Sequence, residues 1–434
     1  MIRTLRGLAP LAIVAVALAA CSTPAPEPSA DATTGTTGDV VEISFVSQLE
    51  PAEIPPLEEL IAQFEAENPN IRVKLDHVSY SQVLESLPLQ LETGEAPDIM
   101  RMTRFELAPY FLDLSPYVDV DYWMDNMGPT QEMVSAGEEP HPTGMFSNVT
   151  VTGGFVNTTL FEQAGVDVPD SNATWDEWRD AAVAVAEVTG TTAMAIDRSG
   201  HRLVAPAINM GAQFFDAEGN VQLVGDEGFK AWLERFVEWN NDGTMNQDFW
   251  ATGDAFREAR DDFVAGKLVF LYSGNWNVGT LDTAIGDAFD WAGIAGPCGP
   301  AACTAMPGGG IFVGFKGTEH PEAVAAFLDF LVQEDNYRYW AESTLDLPQH
   351  SGLIEQGLDF KVETPAAGAA MNVFAQSTED VSSIATDVLT SPIQGAILDT
   401  LRDRATQAIT GELSVDEAIE RMQQDIDAAA AAVG

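Results

Sequence analysis

Residues 41–102 alternate between two hydrophobic periodicities, and this constrains the fold more than any other feature of the chain. VEISFV at 41–46 and IRVKL at 71–75 place apolar side chains at every second position, the pattern of a strand. Between them, Leu57, Leu60, Ile61 and Phe64 recur at i, i+3, i+4 and i+7 behind Pro55 and Pro56, which predicts an amphipathic helix ending near Asn68 and Pro69. Residues 79–93 read as a second helix, and PDIM at 97–100 opens a third, short strand. Strand, helix, strand, helix, strand predicts an α/β fold with an open, largely parallel sheet. Such sheets take ligands at the carboxyl ends of their strands.

The mixed pattern continues. Residues 145–157 are β-rich and broken by glycines, and TWDE at 174–177 is a capping box for a helix running towards Glu187. Residues 229–239 and 256–264 read as helices, and KLVFLY at 267–272 as an apolar strand ending at Ser273, Gly274, Asn275 and Trp276. The glycine run 308–310 precedes a strand at 311–315. A helix then opens at Pro321, with Val324, Phe327, Leu328 and Leu331 on its apolar face. SVDE at 414–417 is a second capping box and opens the last helix. No repeat at a solenoid period is visible. About 395 residues of such pattern exceed what one core covers, so two domains are expected.

At the N-terminus, Arg3 and Arg6 precede an apolar stretch at 8–19 that is short for a bilayer span, and LAAC at 18–21 closes it. This is the build of a secretion signal over residues 1–21, with Cys21 as first mature residue. The segment resembles the bacterial lipoprotein box, which implies lipidation of Cys21 and anchoring at the membrane, on its outer or periplasmic face. Residues 22–39 are dominated by Ser, Thr, Pro, Ala and Gly with no aromatic residue, the composition of a flexible tether.

Lys plus Arg number 20 against 67 Asp plus Glu, a formal net charge of −47. That balance excludes nucleic acid as a partner, because phosphate binding needs a basic surface. It suits a saline habitat or solubility alone. Besides Cys21 there are only Cys298 and Cys303, in CGPAAC. An exported chain makes a small disulfide loop the expectation, with a two-cysteine metal site as the alternative. The chain has no HExxH, no GxSxG and no phosphate-binding GxxxxGK[ST], and its five histidines are scattered. Asp119, Val120 and Asp121 begin like a calcium loop but lack its later ligands and glycine. A strand rather than a helix follows the glycines at 308–310, unlike a dinucleotide fingerprint. No metal, no cofactor and no catalytic residue are expected. Two other readings stay open from the residues alone: a secreted glycosidase working with two carboxylates, and a receptor for a polyamine or other cation drawn in by the negative field.

Over almost its whole mature length the chain resembles the extracellular solute-binding proteins of ATP-driven (ABC) importers, in the group that includes maltose-binding and other oligosaccharide-binding proteins. The resemblance rests on an ordered set of motifs: FEAENP at 64–69, GEAPD at 94–98, TGGFVNTTLF at 152–161, AGV at 164–166 and TWDEW at 174–178. GK at 266–267, GNW at 274–276, GGG at 308–310, HPEA at 320–323 and FL at 327–328 complete it. It implies a two-lobed periplasmic-binding-protein fold with hinge-linked lobes and a ligand cleft between them. One lobe is expected to hold residues 40–148 and 316–377, the other residues 149–315 and 378–434. It further implies a monomer that closes on one sugar and delivers it to membrane permease subunits.

A sugar offers an apolar ring face edged by hydroxyls, so its site needs aromatics for the face and carboxylates, amides or arginines for the edges. Trp276 follows a predicted strand end, where the family places a stacking tryptophan, with Asn275 beside it. Gln48 and Glu50 follow the first strand, and Arg101 and Thr103 the third. Thr150 and Thr152 lie on the predicted crossing strand, and Gly309 in the glycine run. Tyr80, Asp197 and His201 complete the candidates. Where many relatives carry aromatics after the first strand and after the Pro-Asp turn, this chain has Val46, Ser47 and Gln48, then Met100, Arg101 and Met102. Fewer aromatic platforms point to a short, neutral saccharide.

Overall fold

The computed structural model describes residues 40–135, 139–251 and 255–433. The signal, Cys21 and the tether lie outside the described residues. Among these no helix is long and apolar enough to cross a membrane.

Eight strands form one continuous sheet: β1 (Val41–Ser47), β2 (Ile71–His77), β3 (Ile99–Met102), β4 (Gly144–Asn157), β5 (Thr192–Ile196), β6 (Leu268–Gly274), β7 (Trp291–Ala295) and β8 (Pro307–Gly314). Their order is β2-β1-β3-β8-β4-β6-β5, with β7 also on β4. β1 pairs in parallel with β2 and β3, as the opening alternation predicts, and β5 with β6. The centre departs from the expected parallel sheet. β8 runs antiparallel to β3 and β4, and β4 antiparallel to β6 and β7.

The reason is that β4 serves two sheet halves. Its first part, to Val151, pairs with β8; from Thr152 it pairs with β6 and from Gly153 with β7. The β4–β8 register slips between Phe146 and Asn148. The glycine run expected ahead of the 311–315 strand lies inside β8. Its bareness lets the strand pass close to its neighbours: a Cβ on Gly310 would come within 2.4 Å of the Arg101 guanidinium.

Two buried apolar clusters form the core: one lies within the first half, and the other fills the second and reaches first-half residues such as Met100, Met102 and Phe105. In the first, Phe45 and Phe64 meet Phe327 edge-on, so the helix Ile54–Glu67 and the helix Pro321–Val332 are locked onto β1. Asp98 ties the same half together, accepting from the Ser44 amide at 2.8 Å and the Thr318 hydroxyl at 2.5 Å. Burial pushes its carboxyl up, but these hydrogen bonds prevail and hold it below the usual range. In the second half Trp175 packs 4.8 Å from both Trp232 and Tyr272, joining the helices Trp175–Thr189 and Glu227–Asn241 to β6. Both capping boxes are present, with Thr174 receiving the Glu177 amide and Ser414 that of Glu417. Cys298 and Cys303 are joined by a disulfide. The helix Pro365–Ser377 packs on β7 and on the helix Val278–Ile285, both in the second half.

Candidate ligand-binding cleft

The carboxyl ends of β1 and β3, the β4–β8 crossing and the turn after β6 converge on a solvent-open cleft whose empty space, counted out into open solvent, is about 750 Å³. On one wall, the chain leaves β1 and turns at Glu50 into the helix Ile54–Glu67. Glu53 stands at that helix's N-cap and its Oε2 accepts from the Glu50 amide at 2.5 Å. Arg101, on β3, brings Nη2 to 3.5 Å from Glu53, and its guanidinium donates to Ser147 Oγ and Asn148 Oδ1, each at 3.3 Å. Asn148 in turn donates to Asp346 at 2.8 Å. Burial outweighs Arg101 and pushes the Glu53 carboxyl up to about 8, so near neutral pH it is protonated. Burial likewise lifts Asp346 to about 6, against hydrogen bonds from Asn148 and Thr344.

On the opposite wall, Arg202 Nε donates to Asp197 at 2.5 Å, and Ser273 also donates to Asp197. Burial raises the Asp197 carboxyl despite Arg202. The Arg202 guanidinium carbon lies 4.4 Å from the centroid of the Trp276 ring. Gly274 makes that position possible, since a Cβ there would sit 2.0 Å from the indole. His201, 3.1 Å from the Ser199 hydroxyl, is pushed down to about 3 by burial and by Arg202 and Arg104, and is neutral.

Of the sequence candidates, the structure brings Gln48, Glu50, Arg101, Thr103, Thr150, Thr152, His201, Gly309 and Trp276 to the cleft wall. Two others are placed elsewhere. Asn275 spends its side chain on the backbone of β4, accepting from the Val151 amide and donating to the Val149 carbonyl. Asp197 sits behind Arg202, off the lining. The side chain of Tyr80 lies outside the described residues. Sequence reasoning missed Glu53, Phe105, Ser199, Arg202, Met306, Pro307, Gly308, Gly310 and Leu389. Arg202 carried a readable signal, a rare cation next to a candidate histidine. Leu389 carried none, since it reaches the cleft from the C-terminal helices.

The charges on the lining are balanced within the protein: Arg202 faces Asp197, Glu50 is paired with Arg260, and Arg101, beside the protonated Glu53, is linked through Asn148 to the Asp346 carboxylate. One buried atom of the lining, Gln48 Oε1, meets no hydrogen-bond partner among the described residues, and Glu53 Oε1 meets the Arg101 guanidinium only at 3.5 Å. Of the nine tryptophans, all within the described residues, Trp276 alone is not buried. Such a cleft can accept hydroxyls and cover an apolar face, and among the described residues its charged side chains face partners within the protein.

The sequence model for bacterial extracellular solute-binding proteins matches residues 50–338, and the chain belongs to that family. These are binding proteins working outside the cytoplasm. Among curated relatives, the lactose-binding protein of Rhizobium radiobacter is 28% identical over 187 residues, which are 42% of this chain and 42% of that protein. The arabinooligosaccharide-binding protein of Bacillus subtilis is 27% identical over 201 residues, 43% of this chain and 45% of that protein. The chain thus aligns with less than half the length of either. The fold matches the GacH receptor of Streptomyces glaucescens, solved unliganded and with acarbose, at a TM-score of 0.74 and 19% identity, covering 90% of this chain and 98% of that one. The architecture is the two-lobed fold of periplasmic binding proteins.

Proposed function

We propose that the chain is the substrate-receiving component of an ABC importer and takes a short, neutral saccharide between its lobes. The observation that carries this is a half-buried tryptophan on a cleft lining that also holds the unsatisfied Gln48 Oε1 and charges balanced within the protein. The sugar's ring face covers the indole of Trp276, and its hydroxyls reach the polar groups of the lining, Gln48 Oε1 among them. A polyamine is disfavoured because each lining carboxylate already faces an arginine. The named ligands of the relatives and of the GacH receptor support the same class.

The lobes are assigned to residues 40–148 with 316–357, and 149–315 with 365–433. The helix Pro365–Ser377 goes with the second lobe because it packs on β7. The test is a stability panel of neutral sugars, sugar acids and polyamines. A neutral sugar at a hundred times its Kd is expected to add about 2.7 kcal/mol; a panel in which only polyamines stabilise would sink the assignment. The stabilising sugar is expected to be recovered unhydrolysed. Cys21→Ser is expected to move the protein from washed membranes to the soluble fraction with sugar affinity unchanged. Retention of the variant in the membranes would mean that something other than a lipid on Cys21 anchors the chain.

A further inference from the structure

Arg260 lies on the helix Ala255–Val264, which packs against β6 in the second sheet half. Its partner Glu50 follows β1 in the first half, 210 residues away in the chain. The ion pair between them therefore spans the cleft, and it is nearly dry, with side-chain exposures of 7% and 10%. A second clasp crosses elsewhere: Arg104, just after β3, donates to Asp399 at 2.7 Å, and the Phe105 amide donates to Gln394, both partners being on the helix Gln394–Ile409. That clasp is wetter, with side-chain exposures of 15% and 36%.

From this geometry we infer that Arg260 is a positioning residue that latches the lobes through Glu50, so that closure is favoured by the protein's own contacts before any ligand enters. The inference rests on the two-lobe reading proposed above. Its physical basis is an asymmetry. Removing one partner of a dry ion pair leaves the other charge buried and uncompensated. Here the strain has an outlet, because opening the cleft returns Glu50 to water. Loss of Arg260 therefore weighs on the closed state and leaves the folding of either lobe nearly untouched. The binding-competent fraction falls, and apparent ligand affinity falls with it in proportion. The same pair holds the Glu50 carboxylate in the wall, so Arg260 acts on ligand only through Glu50.

The experiment needs no ligand, so an empty sugar panel would not affect it. Spin labels are placed at Ala62→Cys and Val188→Cys, exposed positions on the helices Ile54–Glu67 and Trp175–Thr189, in the full chain carrying Cys21→Ser. Interlobe distances are measured by pulsed electron resonance. Arg260→Met is expected to raise the open-to-closed ratio about tenfold over the parent, with the urea unfolding midpoint held. Arg260→Lys, which keeps the charge, is expected to stay near the parent, and serves as the probe should the methionine variant fail to fold, in which case a ratio as far open as in Glu50→Gln would overturn the latch. Glu50→Gln combined with Arg260→Met is expected to fall back towards the parent, because removing both charges removes the penalty. An unchanged ratio in Arg260→Met, or additive shifts in the double variant, would overturn the latch. A single fixed distance in every variant would overturn the two-lobe motion itself.

Discussion

Replacing Trp276 with Ala is expected to weaken saccharide binding about thirtyfold, a loss of roughly 2 kcal/mol, while leaving the unfolding midpoint close to that of the parent. The other eight tryptophans are buried, and truncating one of them costs about 3 to 5 kcal/mol of folding stability because a cavity remains. Trp276 is only partly buried and lines the cleft, so its truncation removes ligand contact before it removes core. The contact with Arg202 supplies a control. Trp276→Phe keeps an aromatic face for both the guanidinium and the sugar, and is expected to retain most of the affinity. Calorimetric titration beside urea unfolding of the same variants decides the matter. Unaltered affinity with a collapsed midpoint would make Trp276 a structural residue.

Stability is expected to fall as pH rises from 6.5 to 8, and Glu53→Gln is expected to flatten that decline. Glu53 is buried as a neutral acid, with its carboxyl pushed up to about 8 from an ordinary value of 4.5. Between those values the folded chain holds a proton that the unfolded chain has released, so raising the pH favours unfolding until the folded carboxyl ionises too. Below pH 6.5 the reading is confounded. His201, pushed down to about 3, makes stability rise with pH up to its unfolded value near 6.5, while Asp346, lifted to about 6, contributes a fall. Above 6.5 what remains of their titration is small and opposite in sign, so Glu53 dominates. The expected loss across that interval is roughly 2 kcal/mol. Urea midpoints at fixed ionic strength, taken for parent and variant, measure it. Parallel curves would mean that Glu53 does not carry the proton.

The opening βαβαβ alternation was legible because it depends on local periodicity, which the sequence displays directly. The antiparallel centre was not. Whether a strand such as 144–157 pairs with its sequence neighbour or spans two sheet halves depends on partners more than a hundred residues away, such as β6 and β8. The cleft shows the same division. Trp276 could be picked out because it follows a strand end, and Arg101 because it sits near the carboxyl end of a strand. Glu53 was passed over as one acid among 67, and only burial at a helix start sets it apart. Asn275 adjoins Trp276 in sequence yet faces the backbone of β4. Adjacency in a turn says nothing about which of two side chains points outward.

For the proposed lobe motion, β4 is placed to serve as a torsion bar. It belongs to both sheet halves, its ladder slips between Phe146 and Asn148, and Thr150 and Thr152 on the cleft floor follow within four residues of that slip. A twist of the strand swings the far edges, β2 on one side and β5 on the other, through wide arcs. Points beside the axis hardly travel. On the proposed lobe rotation, the residues beside the axis, Thr150 and Thr152 among them, keep nearly their place while the rims carry the movement.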